Sequence, residues 1–202
     1  MSNRTAKNLK AQQSAETREA ILASCLPLFA RHGLASTSID DIARAAGITK
    51  GAVYWHFASK DELFQAILER TRGRWQVAVL EPLSRKALPM TRLETLFDGY
   101  LELFSQTPDI CLFMQRVLLE NDAAYSPQIG RVFTLTARFI AKMLDDGKAK
   151  GSFRADVDSI AMAHIILGAI SGATQQCLAN RSLALKALLG EVKEMTAARV
   201  RG

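Results

Sequence analysis

Apolar residues recur along most of the chain at three- and four-residue spacing, the period of an amphipathic helix, and nowhere alternate long enough to suggest a strand. Met1 to Gln13 is polar and carries Arg4, Lys7 and Lys10, so residues 1–14 read as a flexible basic arm. From Ser14 to Arg31 the stripe Ala20, Ile21, Cys25, Leu28 and Phe29 predicts a helix that Gly33 stops. Pro27 lies inside it, where it removes a hydrogen bond and crowds the preceding turn at a cost of about 3 kcal/mol. A kink near Ala23–Pro27 is expected rather than a break, because the stripe continues across it.

Two short helices follow, about Ser38 to Ala46 and then from a turn at Gly47 to Phe57. Ser38 with Asp41 has the form of a capping box; Ser59 with Glu62 fits that motif better and opens a helix toward about Leu80. Glu81–Pro89 holds two prolines and reads as a connection. Further helices are expected at about 90–106, 108–120, 127–149, 157–179 and 183–199. Pro108 and Pro127 suit first helical positions behind Thr107 and Ser126, and Asp156 and Ser182 are candidate caps for the last two helices. Asp146-Gly147 is a hairpin dipeptide, but its flanks lack the alternation of strands. The expected fold is therefore all-α with about nine helices. A three-helix head over 15–75 would carry a helix-turn-helix at 38–57, and a C-terminal helical bundle would occupy 76–202.

Composition bounds the function classes. Of 202 residues, 49% are hydrophobic and 23% charged, values that suit a soluble protein with a core. The formal charge of +6 is uneven, with eight Lys/Arg against four acids in residues 1–60. That excess suits a polyanion partner, since cations near phosphates release counterions, although a solvated basic face explains the charge equally well. Cys25, Cys111 and Cys177 are dispersed without a CxxC, which argues against a disulfide framework and a zinc site and for buried reduced thiols. No apolar run approaches the roughly 20 residues that span a bilayer, and no apolar leader opens the chain, so a cytoplasmic protein without membrane, metal or cofactor is expected.

The strongest chemical signal lies between Thr37 and Phe57. Ala43 is small where two helices would meet, Gly47 supplies the turn, and Ile42, Ile48 and Val53 fill the wedge. Tyr54-Trp55-His56-Phe57 then follows on one short helix. Consecutive helical residues point about 100° apart, so four large rings cannot all face one core. Phe57 is the natural anchor, and Tyr54, Trp55 and His56 are candidates for DNA contact. Thr49, Lys50 and Gly51 open the helix, where backbone N–H groups, a cation and a bare Cα all favour a phosphate. Tyr and His can donate to phosphates while Trp meets sugars or thymine methyls.

These residues carry a resemblance. Thr17-Arg18-Glu19-Ala20-Ile21-Leu22, Leu28-Phe29-Ala30-Arg31-His32-Gly33, Thr37 to Ile39, Ile42-Ala43, Ala46-Gly47-Ile48 and the YWHF run resemble the N-terminal domain of the TetR family over roughly 15–75. The YWHF run and Lys60-Asp-Glu-Leu-Phe64 are similar to the branch that represses multidrug efflux pumps. The resemblance implies a homodimer with each recognition helix in successive major grooves of a palindromic operator. It matches Thr37 and Ser38 to phosphate contacts at the start of the second helix. It places Thr49, Lys50, Gly51, Tyr54, Trp55 and His56 on the recognition helix and makes Lys60 a further phosphate contact. Pro27 departs from the family's pattern.

Beyond residue 80 the resemblance thins to fragments such as Gly151 to Asp158. Ala161, Ile165, Gly168 and Gly172 form a stripe of small residues, and Leu185, Leu188, Val192 and Met195 a comparable stripe on the last helix. Both suit intrachain core as well as a partner; the resemblance implies a four-helix dimer interface. It also implies a ligand cavity in the middle helices, whose binding shifts the spacing of the two DNA heads. Phe97, Phe104, Phe113, Met114, Arg116, Phe133 and His164 are candidates to line it, although aromatics at helical spacing also make ordinary core. An apolar wall with few polar anchors suits a small hydrophobic or amphipathic ligand.

An enzyme is the weaker reading. His32, His56 and His164 lie far apart, and no nucleophile elbow, P-loop, GxGxxG or HExxH occurs. An adaptor answering to another protein, or an activator, is compatible with the same motif.

Overall fold

The computed structural model describes residues 2–84, 87–120 and 126–202; at 2–7, 84, 118–120 and 126–129 it describes the backbone alone. The expected roles of Arg4, Lys7, Ser126 and Pro127 side chains therefore lie outside the described residues. The described residues are all-α, with one isolated bridge between Phe153 and Arg201. None of their helices is long and apolar enough to cross a membrane. The chain divides into two compact units, 1–72 and 73–202.

In the first unit, α1 runs Ser2–Ser36, α2 Ile39–Ala46, α3 Lys50–His56, and α4 Lys60–Trp75 extends past the boundary. The expected arm is corrected here: helix begins at Ser2. Alanine, lysine, arginine, leucine and glutamine make up most of this stretch, and a helix propagates cheaply outward from a segment already nucleated by packing. Gln12 Nε2 donating to Glu16 Oε1 at 3.0 Å adds an i,i+4 link. Pro27 leaves no dihedral break; the helical dihedrals fail only at Gly33, with φ 80° and ψ 170°. The expected kink at Ala23–Pro27 does not form; the break comes at Gly33, the expected stop, where glycine reaches that conformation without Cβ strain, and helix then resumes to Ser36. Ile21, Cys25, Phe29, Ile42, Val53, Phe57, Leu63 and Ile67 seal the small core. Phe29 and Phe64 meet with ring centroids 5.8 Å apart, and Arg70 on α4 pairs with Glu19 on α1 at 2.9 Å.

The second unit opens on a π turn, Gln76–Leu80, followed by α5 Glu81–Ser84, so helix continues into the stretch expected as a connection. Pro82 explains it. A proline within a helix clashes with the carbonyl four residues back, and the wider π turn moves that carbonyl aside; Glu81 N–H bonds Gln76 O, five residues back. Then come α6 Pro89–Gln106, α7 Pro108–Glu120, α8 Ser126–Ala149, α9 Ser159–Ala179 and α10 Leu185–Val200. Leu93, Leu96, Phe97, Ile140, Leu144, Ile166 and Ile170 lie in their common core. Gly99 lets α6 cross the π turn closely, since a Cβ there would stand 2.5 Å from Ala78 O. Gly147, inside α8 rather than a hairpin, leaves room for the Phe153 ring, which a Cβ would meet at 2.0 Å. Arg154 N then bonds Val200 O at 2.9 Å, tying the loop after α8 to the end of α10.

Two expected caps are corrected. Asp158, not Asp156, caps α9, accepting from Ile160 N and Ala161 N at 3.0 Å each, while Asp156 chelates Arg154. Ser182 folds onto Asn180 Oδ1, and Ala184 begins α10 without a side-chain bond. Thr107 joins α6 to α7: its hydroxyl donates back to Leu103 O at 2.9 Å, and its carbonyl accepts from Ile110 N at 3.0 Å in the first turn of α7. Asp156 and Ser182 each found a nearer partner than the next helix.

Candidate nucleic-acid interface

The local sequence dictates the geometry of residues 37–60. Ser38, extended at φ −94° and ψ 159°, accepts from Asp41 N at 3.1 Å, while Asp41 Oδ2 accepts from Ser38 N at 3.1 Å and from its hydroxyl at 2.6 Å. This is a reciprocal box with aspartate in the place of glutamate. The Ser38 hydrogen bonds hold the Asp41 carboxyl below the usual carboxylate range. Gly47 sits in the left-handed region at φ 68°, which closes α2, and Ile48 N bonds back to Ala43 O at 3.0 Å. Thr49 then caps α3, accepting from Ala52 N at 3.2 Å.

Two faces of α3 separate cleanly. Val53 and Phe57 are buried, whereas Tyr54 is 48% exposed and Trp55 73%. His56 is half-buried and meets Trp55 edge-on, with centroids 4.6 Å apart. Gly51 is exposed, and a Cβ there would find its nearest atom, Thr49 Oγ1, 3.9 Å away. Packing within the chain therefore does not require glycine at 51. Lys50 is exposed and pairs with Asp40 at 2.8 Å, which raises its pKa. Ser38, Thr49, Lys50, Gly51, Tyr54 and Trp55 thus all have surface exposure on or beside α3.

Two expected contacts fit less well. Thr37 is 2% exposed, and its hydroxyl donates to Gly33 O at 2.7 Å, so its side chain closes the end of α1 and does not reach a phosphate. Lys60 Nζ donates to Thr37 O at 3.2 Å and Ala35 O at 3.4 Å, satisfying carbonyls beyond the break at Gly33. Two residues that sequence reading passed over also belong here. Arg18 lies over the Phe57 ring at 4.8 Å, and Asp40 holds Lys50. Both pairs are distant in sequence, so helical periodicity gives no sign of them.

The residues expected to line a ligand cavity are dispersed by burial. Phe97 and Phe113 are sealed; Phe104, Met114, Arg116 and Phe133 are half-buried. His164 is exposed on α9 and faces away from the core, because Ala163 and Ile166 take the inward positions. Trp75 Nε1 donates to Tyr100 OH at 3.2 Å, and burial pushes the Tyr100 hydroxyl up to about 12. Gln115 Nε2 donates to Ser171 O at 3.1 Å, joining α7 to α9.

On the expected dimer stripes, Ala161, Ile165 and Gly168 are exposed and Gly172 half-buried; Cβ atoms added at both glycines would meet open space. On α10, Met195 is exposed and Leu188 and Val192 are half-buried. Leu185 is corrected to core, at 6% exposure, since it opens α10 directly against the inner face. The three cysteines are unpaired, and burial pushes the Cys25 and Cys111 thiols up to about 12. Among the described residues, no three His, Cys, Asp or Glu side chains gather as a metal site.

Comparison with known proteins agrees with this geometry. The model for bacterial regulatory proteins of the tetR family matches residues 21–67. The HTH-type transcriptional regulator AcrR of Shigella flexneri is 52% identical over 58 residues, 29% of this chain and 27% of its own length. The match thus spans about a quarter of that relative. The HTH-type transcriptional repressor BepR of Brucella suis biovar 1 is 27% identical over 166 residues, 79% of each chain. A TetR transcriptional regulator from Chloroflexus aurantiacus superposes with a TM-score of 0.76 at 25% identity, covering 94% of this chain and 98% of that one.

Proposed function

We propose that this chain, which belongs to the TetR family of bacterial regulatory proteins, is a cytoplasmic transcriptional repressor that binds a palindromic DNA operator as a homodimer. The observation that carries the reading is the division of α3. Val53 and Phe57 anchor it, while Tyr54 and Trp55 stand in solvent and the exposed Lys50 opens the helix. Large exposed rings are costly to keep unless something covers them, and a ring-bearing helix with a cation at its start suits a major groove. His56, beside Trp55, contributes from the edge of the same surface. Thr49 and Ser38 serve first as caps, and their neighbouring backbone supports phosphate contact.

The dimer reading is supported by the exposed small-residue stripe Ala161, Ile165, Gly168 on α9 and by Met195 on α10, since an apolar helix face of this kind gains by meeting its symmetry mate. Two heads are also needed because one short helix reads too few base pairs for specificity.

A small hydrophobic or amphipathic effector would release the DNA, and control of an efflux pump follows the resemblance of the YWHF run. Such an effector must bind the DNA-incompetent state more tightly, or it shifts nothing. The sealing of Phe97 and Phe113 and the outward position of His164 favour a second reading, a regulator that answers to a protein or activates, without a small ligand. Ligand-induced rises in melting temperature across a panel of apolar compounds separate the two.

The DNA reading is tested with Tyr54→Ala and a duplex selected from a random-sequence pool. Affinity should fall by about tenfold or more, the value of one good base-edge contact, with melting temperature and oligomeric state unchanged. Unchanged affinity contradicts the assignment.

A further inference from the structure

Lys50 does not stand free at the face assigned to DNA. Its Nζ lies 2.8 Å from Asp40 Oδ2, a contact that runs from the first turn of α2 to the first residue of α3, across the turn between them. The two side chains are 52% and 57% exposed, so the pair sits where an incoming polyanion can reach it. The other acid of the motif is committed elsewhere. Asp41 closes the Ser38 cap and lies 3.4 Å from Arg44 NH1. Asp40 takes no part in that cap; its carboxylate faces Lys50 instead. Between Ser38 and Phe57 the charged residues are Asp40, Asp41, Arg44 and Lys50, and their formal charges cancel. A motif built for DNA thus presents no net positive charge of its own.

Resting on the DNA-binding reading above, we propose that Asp40 is a specificity-determining residue: it withholds Lys50 from the phosphates of arbitrary DNA and yields it only when α3 is seated in its operator.

Binding to arbitrary sequence is almost wholly counterion release, and it grows with each cation free to neutralise a phosphate. A lysine whose ammonium already touches a carboxylate contributes less, because a phosphate that captures it must also approach that carboxylate. In loose complexes the exchange gains little, so Lys50 stays with Asp40. In the seated complex the contacts of Tyr54 and Trp55 fix the register and bring a phosphate to a defined place. The exposed ion pair is weak enough to exchange there. Discrimination then arises from suppressing the wrong complexes, not from a new contact with the right one.

The test compares the full chain with Asp40→Asn, Lys50→Met and the double variant. The probes are sonicated mixed-sequence duplex and a duplex that the wild type selects from a random pool. On mixed-sequence DNA, Asp40→Asn should steepen the dependence of log K on log salt by about 0.9, the contribution of one phosphate contact. It should leave that slope unchanged on the selected duplex, so the ratio of selected to mixed affinity falls. In the Lys50→Met background, Asp40→Asn should change neither slope.

An unaltered slope on mixed DNA overturns the proposal, as does an equal steepening without Lys50, which would make Asp40 a general repulsive charge. Weaker binding of Asp40→Asn to both duplexes with a lower melting temperature also overturns it, since the pair would then be a brace between α2 and α3. Failure of the wild type to select any duplex is a different outcome. It removes the DNA-binding reading itself, and the proposal with it.

Discussion

At the residue scale, the head assigns similar polar side chains to different work through small differences in reach. Ser38 and Thr49 cap α2 and α3; the first was legible from Asp41 three residues on, whereas Thr49 was read only as a phosphate contact at the start of its helix. Thr37 and Lys60 were legible as polar residues near the motif, but not in their geometry. The break at Gly33 leaves carbonyls at the end of α1 without helical partners, and the Thr37 hydroxyl and the Lys60 ammonium take up those nearby. A sequence does not show which carbonyls a break sets free. Lys60→Met should therefore cost about 1 kcal/mol of stability, the worth of such bonds, and leave the salt dependence of DNA binding unchanged. Thermal melts and a salt titration check both parts; an unaltered melt with a flatter titration would return Lys60 to the phosphate contacts. The exposed rings Tyr54 and Trp55 were foreseeable for a simpler reason. Four consecutive rings cannot share one helix face.

At the element scale, the helices were readable wherever an apolar stripe repeats, and they were misread where chain geometry overrode residue type. The two prolines of 81–89 suggest a connection, yet Pro82 is accommodated by the π turn Gln76–Leu80, and the helix continues to Ser84. That turn brings Ala78 O against Gly99 on α6, close enough to exclude any side chain. Gly99→Ala should destabilise the protein by about 1–3 kcal/mol, the usual cost of overpacking. For a chain of this length, each kcal/mol corresponds to about 2–4 °C of melting temperature. An equal melting temperature would mean that α6 can shift away from the turn without loss. The N-terminal stretch was misread for the opposite reason: polarity suggested an arm, while its helix-forming residues carry α1 back to Ser2.

At the scale of the whole molecule, the helix-turn-helix unit, 1–72, was far more legible in the sequence than the unit that follows. The first has a motif whose residues are near one another in the chain. The second, over 73–202, brings together residues such as Gln115 and Ser171, or Trp75 and Tyr100, that no local pattern connects. Its candidate ligand residues were correspondingly hard to place, and its small-residue stripes looked alike until burial separated exposed Ile165 from core Leu185. Ile165→Glu should shift the protein from dimer to monomer in sedimentation equilibrium, since a carboxylate at the centre of an apolar interface is strongly unfavourable. A dimer of unchanged strength would move the interface elsewhere.

The central claim is that two copies of α3 grip one duplex. Hydroxyl-radical footprinting of the selected duplex tests it most directly. Two symmetric protected patches should appear, their centres separated by about one helical turn of DNA or a multiple of it, and both should vanish together with Trp55→Ala while the fold persists. A single patch, or protection that survives without Trp55 and Tyr54, would contradict it.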